Sequence, residues 1–219
     1  MDRTGERRRD PRSGGAPRRL VVLLHGVGAD ADDLIDLAAE WATAAPDALF
    51  LSLDAPDPYA EAPFGRQWFP LSDRRPAVLA AAIRAAAPAL EARLAAILAR
   101  EGLPDSALTL MGFSQGAMMA LHAGLRRAVP PAGILAYAGA LLDPATLAAE
   151  ATRPLPPVLL VHGLADEVVP AQASQLAEAA LRGLGAAVEA RFIPGLGHGI
   201  DAAGLAAGAA FLARRVTPA

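Results

Sequence analysis

Ala107-Leu108-Thr109-Leu110-Met111-Gly112-Phe113-Ser114-Gln115-Gly116 is the stretch that decides the fold. Five largely apolar residues run directly into a G-x-S-x-G pattern, and helical spacing begins at Gln115 and reaches Arg127. So short a continuous apolar run reads as a strand buried on both faces. A strand that turns at once into a helix around a serine is a tight elbow, which needs small residues on either side and pushes the hydroxyl into solvent. With 20 Gly and 6 Ser in the chain, the pattern arises by chance with a probability of about 0.05. Its strand-to-helix setting therefore carries the weight; the competing reading is a small-residue turn in an ordinary α/β protein.

Outward from this elbow, similar apolar runs recur at 20–24, 48–53, 133–137, 158–161 and 188–193. Between most of them lie stretches with helical spacing, at 32–44, 76–100, 170–183 and 201–215. Strands alternating with helices predict an α/β fold, a mostly parallel twisted sheet with helices on both faces. Pro88 lacks the N–H that a helix interior uses, so 76–100 is expected to kink there or to split in two. Residues 54–75 hold Pro56, Pro58, Pro63, Gly65 and Pro70 with Trp68 and Phe69, and show no periodicity. A loop of that length in a compact domain usually has work to do, such as covering a site.

At 219 residues the chain fits one domain. We expect residues 1–19 to be a disordered Arg-rich leader and 20–219 to be a single domain. The leader holds seven Arg against three acids, a balance of +4, which leaves −7 for the rest of a chain whose total is −3. An acidic body argues against a nucleic-acid partner. No apolar run approaches the roughly 18 residues needed to cross a bilayer, which excludes integral membrane association. Export is disfavoured too, because the run 20–24 is shorter than the roughly 7–15 apolar residues of a secretion signal. With no cysteine, neither a disulfide framework nor a cysteine-based metal or redox site is available, and the expected location is the cytoplasm.

A serine hydroxyl needs a base to become a nucleophile. Four histidines compete. His122 lies in mid-helix, whereas His25, His162 and His198 all follow strands, where sites form in open α/β sheets. Chain order separates these three, because an elbow serine of this kind is followed by its acid and then its base. Only His198, in Gly195-Leu196-Gly197-His198-Gly199, follows an acid in a post-strand loop. That acid is Asp166, with Glu167 as its neighbouring competitor and helix capping before Pro170 as its alternative role. Asp143, before Pro144, reads as a helix cap. The expected catalytic set is thus Ser114, Asp166 and His198. The N–H of Gln115, next after the nucleophile, is one expected oxyanion donor. The second should come from the loop after the first strand, at Val27 between Gly26 and Gly28, with His25 supporting the turn.

Together Leu23 to Asp30, Gly65-Arg66-Gln67-Trp68-Phe69, the elbow, His162-Gly163 through Asp166 to Pro170, and Gly197-His198 resemble the phospholipase/carboxylesterase family of α/β-hydrolases. The resemblance spans about residues 20–215. It implies a fold without a large cap domain, and hydrolysis of small-molecule esters or thioesters with short-to-medium acyl chains, lysophospholipid-like ones included, through an acyl-enzyme and with neither metal nor organic cofactor. It also implies that Trp68 and its loop border the acyl pocket, and that a homodimer is possible. The sequence departs from the family at two places. Residues 1–19 are polar where relatives often begin with a short strand, so the sheet is expected to lack one edge strand. Val27 stands where relatives often carry a bulkier side chain, which bears on pocket shape. Two rival readings remain: other chemistry on the same three residues (a peptidase or a cofactor-free perhydrolase), and an inactive ligand-binding homologue.

Overall fold

Hydrophobic runs that are buried on both faces must lie side by side and be covered twice, and the computed structural model, which describes residues 5–59, 61–62 and 64–214, does this. Seven strands form the main sheet: β1 (Glu6–Arg9), β2 (Arg19–Leu24), β3 (Ala48–Leu53), β6 (Leu108–Phe113), β7 (Gly133–Tyr137), β8 (Val158–Gly163) and β9 (Val188–Ile193). Their order across the sheet is β1-β3-β2-β6-β7-β8-β9, with every pairing parallel except β1 on β3. Between them, β4 (Asp57–Pro58) and β5 (Arg66–Gln67) pair as a small antiparallel ribbon inside the long loop.

Successive residues of β2 point to opposite cores. Leu20, Val22 and Leu24 join a cluster with α3 (Pro76–Glu101), α4 (Gln115–Gly124), α5 (Pro144–Glu150) and α6 (Gln172–Gly183). Val21 and Leu23 face the other way, toward α1 (Asp32–Ile35), α2 (Leu37–Trp41) and α7 (Ala202–Ala213). This two-period alternation, covered by helices on each side, is the predicted doubly covered sheet. Chain progression reverses between β2 and β6, since β3 lies to one side of β2 and the later strands to the other. Such a switch point opens a crevice at the carboxyl ends of the strands.

The leader is a correction. Residues 6–9 form the edge strand β1, in register from Glu6 opposite Leu53 to Arg9 opposite Phe50. The sheet therefore has the edge strand it was expected to lack, and residues 5–19 are not a disordered tail. Residues 1–4 lie outside the described residues, as does Arg215 of the helix expected at 201–215. Arginine-rich composition misleads here because the arginines have distant partners: Arg7 with Asp32, Arg8 with Glu101 at 2.7 Å, and Arg19 with Asp47.

Helix α3 runs unbroken through Pro88. Only one backbone bond is forfeited there, and Ile83, Leu90, Leu94 and Ile97 pin both halves along one buried stripe. The helix expected at 32–44 is instead two short ones, because Asp36 bonds three residues onward to Ala39 and tightens the chain between them. Asp143 precedes α5, in left-handed backbone at φ 54°, but its carboxylate does not cap the helix through the backbone. It binds Arg84 Nε at 2.7 Å and Thr146 Oγ1 at 3.0 Å instead.

Candidate active site

Sterics build the elbow. A methyl group on Gly116 would stand 1.9 Å from the carbonyl oxygen of Leu24, and one on Gly112 would stand 2.2 Å from that of Gly116. With neither methyl present, α4 leaves β6 at once and packs against the end of β2. Ser114, between them, adopts φ 53° and ψ −117°. A non-glycine residue in that region costs on the order of 1–3 kcal/mol, and the surrounding packing must hold it there. Its own N–H donates to Tyr137 O at 2.8 Å, and its carbonyl accepts from Ala117 and Met118.

The strand ends bring the three expected residues together. Ser114 Oγ lies 2.9 Å from His198 Nε2, and His198 Nδ1 lies 2.6 Å from Asp166 Oδ2. Oδ1 of Asp166 accepts the N–H groups of Val168 and Val169 at 2.8 and 2.9 Å. Burial raises the Asp166 carboxyl, but the hydrogen bonds from His198, Val169 and Val168 outweigh it and hold the group below its ordinary value. Asp166 thus stays ionised at neutral pH, Nδ1 of His198 carries the hydrogen, and Nε2 is left to accept from the serine.

The loop after β2 lies beside this line, since a methyl on Gly26 would come within 3.4 Å of Ser114 Cβ. The loop is held by the segment that sequence left unstructured. Gly28 N donates to Arg66 O and Arg66 N to Ala29 O, both at 2.8 Å. Gly65, at φ 93°, has no room for a side chain, because a Cβ there would stand 2.0 Å from Gly28 O. His25 is fully buried, which lowers its basicity and keeps it neutral. Its Nδ1 donates to Gly26 O at 2.6 Å and its Nε2 accepts from Ala55 N at 3.0 Å, the supporting role expected of it. Among the described residues the N–H groups of Val27 and Gln115 have no protein acceptor, and Gln115 opens α4, where such groups are free by construction.

Two residues behave otherwise than the sequence indicated. Trp68 is 3% exposed and donates its indole N–H to His25 O at 2.9 Å. It does not line the cavity of about 250 Å³ that opens on Ser114, although its loop does, through Leu71 and Arg74; the other walls are mainly apolar, from Val27, Leu79, Met118, Val168, Val169 and Pro170. The expectation that Trp68 borders the acyl pocket is therefore corrected: its ring lies against that of His25, with centroids 5.5 Å apart, and braces the loop after β2 from behind. The side chain of Gln115 went unnoticed in the sequence. Its Oε1 accepts from Trp68 N at 2.8 Å and its Nε2 donates to Phe69 O at 2.7 Å, clamping the loop to the elbow. No sequence signal marked it, because its partners lie 46 and 47 residues away.

A parallel sheet covered on both faces, with an elbow serine at its switch point, defines an α/β-hydrolase. Residues 12–215 match a family model described as phospholipase/carboxylesterase, and the chain belongs to that family. It is a hydrolase of carboxylic esters or thioesters. Among its relatives, esterase YpfH of Escherichia coli K12 is 29% identical over 184 residues, covering 84% of this chain and 77% of the relative. Acyl-protein thioesterase 1 of Gibberella zeae is 35% identical over 122 residues, 53% of this chain and 52% of that protein. The crystal structure of esterase PE8 superimposes with a TM-score of 0.92 at 41% identity, covering 97% of this chain and 99% of the other. Among the described residues, no helix is long and apolar enough to cross a membrane.

Proposed function

We infer that the protein is a serine carboxylesterase that cleaves short-to-medium acyl esters or thioesters through an acyl-enzyme. His198 Nε2 takes the Ser114 proton as Oγ attacks the acyl carbon, and the N–H groups of Val27 and Gln115 hold the oxyanion. The C–O or C–S bond then breaks, and the imidazolium returns its proton to the leaving alcohol or thiol. Water, deprotonated by the same imidazole, attacks the acyl-serine and releases the acid. Asp166 fixes the tautomer and stabilises the imidazolium throughout. The observation that carries this reading is the unbroken line from Ser114 Oγ through His198 to Asp166, at 2.9 and 2.6 Å. A cavity of about 250 Å³ with mainly apolar walls is smaller than the roughly 300–1,000 Å³ typical of sites for drug-sized ligands, which favours acyl groups of modest length, lysophospholipid-like ones at the upper end. We extend the reading to a cytoplasmic enzyme, which a cysteine-free chain suits.

The test is a p-nitrophenyl ester series from two to sixteen carbons, run beside Ser114→Ala and a fluorophosphonate probe. The reading expects kcat/KM to peak at short or medium length. The alanine variant should lose the label and, by analogy with another serine hydrolase, about 10⁶-fold in kcat. Full turnover by Ser114→Ala overturns it.

A further inference from the structure

His162, which the proposed cycle does not use, sits at the end of β8 with its side chain fully enclosed. Its Nε2 is 3.1 Å from Asp166 Oδ2, the same oxygen that takes the His198 hydrogen bond, and 2.8 Å from Val169 O. Both partners are acceptors, so Nε2 carries the hydrogen. Nδ1 is 2.6 Å from the hydroxyl of Ser174, itself buried in α6 and within 3.1 Å of Gly139 O. A Cβ on Gly139 would in turn lie 3.3 Å from the carbonyl oxygen of Ser114. A buried chain of polar groups thus ties the loop after β7, the start of α6 and the loop after β8 to one carboxylate.

Resting on the triad reading above, we propose that His162 is a positioning residue for this reaction. It is a second imidazole on Asp166, whose Nε2–H fixes the rotation of the carboxylate and takes a share of its negative charge. With two backbone N–H groups on Oδ1 and two imidazole N–H groups on Oδ2, the carboxylate has four donors and a single orientation, the one that aims His198 at Ser114. A carboxylate on a freely pivoting bond would hold the His198 ring less well, and small misplacements of reacting groups are costly. Among the described residues, the imidazole of His162 meets no charged group besides Asp166. His198 lies on the far side of the shared oxygen, Glu167 on the same loop is exposed, α6 presents Ser174, and β9 presents Phe192 in register with His162.

The experiment compares His162→Leu, His162→Gln and Ser174→Ala with the unaltered chain, using p-nitrophenyl butyrate, fluorophosphonate labelling and the pH profile of kcat/KM. Removing the second donor concentrates charge on Asp166 and raises the basicity of His198, so the acidic limb of the profile moves to higher pH. His162→Leu should lose roughly 10- to 100-fold in kcat with KM within about twofold, and its acidic limb should rise by about half a unit or more. Glutamine offers an N–H at the position of Nε2 and should restore kcat to within about threefold, and the limb with it. Ser174→Ala, which changes only the support of Nδ1, should move the limb in the same direction by less, and it carries the test should the leucine variant fail to fold. A folded leucine variant with an unmoved limb, a loss that glutamine does not repair, or an unmoved limb in Ser174→Ala would overturn the proposal. Failure of the triad reading would show separately, as turnover or labelling that survives Ser114→Ala.

Discussion

The elbow around Ser114 and the edge strand at residues 6–9 are opposite cases of how a chain specifies its shape. In the elbow the governing constraint is steric and is carried by the motif's own residues: Gly112 must clear Gly116 four residues on, and Gly116 must clear the end of β2. The edge strand has no apolar pattern and is half-exposed. It is fixed by a ladder to β3, 41 to 47 residues away, and by ion pairs of Arg8 with Glu101 at 2.7 Å and of Glu6 with Arg100 at 2.9 Å. Local sterics are legible in a sequence and distant pairing is not, and the two regions should also fail differently.

The largest effect is expected at the elbow. Gly116→Val puts carbon into the backbone oxygens of Leu24 and His25, so ester turnover and fluorophosphonate labelling should both vanish, with a stability loss of about 3 kcal/mol or more in urea titrations. A folded, active valine variant would break the contrast. Next comes Gln115→Ala, which keeps the backbone N–H but frees Trp68 N and Phe69 O. Two buried groups left unpaired cost about 2–4 kcal/mol, and kcat/KM should fall about tenfold as the loop behind Val27 loosens.

The elbow helix should also respond to acid. Burial, helped by the charges of Arg126 and Arg84, lowers the pKa of His122 to about 4. The unfolded chain takes up that proton first, so this contribution is complete above about pH 6.5 and drains as pH falls toward 4, a loss on the order of 2 kcal/mol at pH 5. His122→Gln should flatten the dependence of Tm on pH between 7 and 5. The smallest effect belongs to the edge. Arg8→Ala should cost less than about 1 kcal/mol and leave kcat/KM unchanged, and 1 M salt should erase most of the difference.

The contrast also marks what was readable beforehand. The parallel sheet was, because apolar runs alternate with helical spacing. So was the grouping of Ser114, Asp166 and His198, because strand-end loops at a switch point must converge and chain order ranks them. Trp68 was not: a loop without periodicity carries no record of which way its side chains turn, and the indole turns toward His25, whose carbonyl takes its N–H. The amide of Gln115 escaped notice for a related reason, whereas His162 was weighed only as a rival base. The contacts of the amide join segments that only the finished fold makes adjacent.

The two rims of the sheet are finished differently, and this bears on how the chain is handled. The last strand protects itself, with Glu189 and Arg191 among its residues and Glu189 tied to Arg214. On the other side, β3 is Ala-Leu-Phe-Leu-Ser-Leu, wholly enclosed, and its outer ladder is covered by four polar residues near the start of the chain. Trimming those residues as a dispensable tail would bare an oily, uncharged ribbon whose open N–H and C=O groups can pair with its own copies.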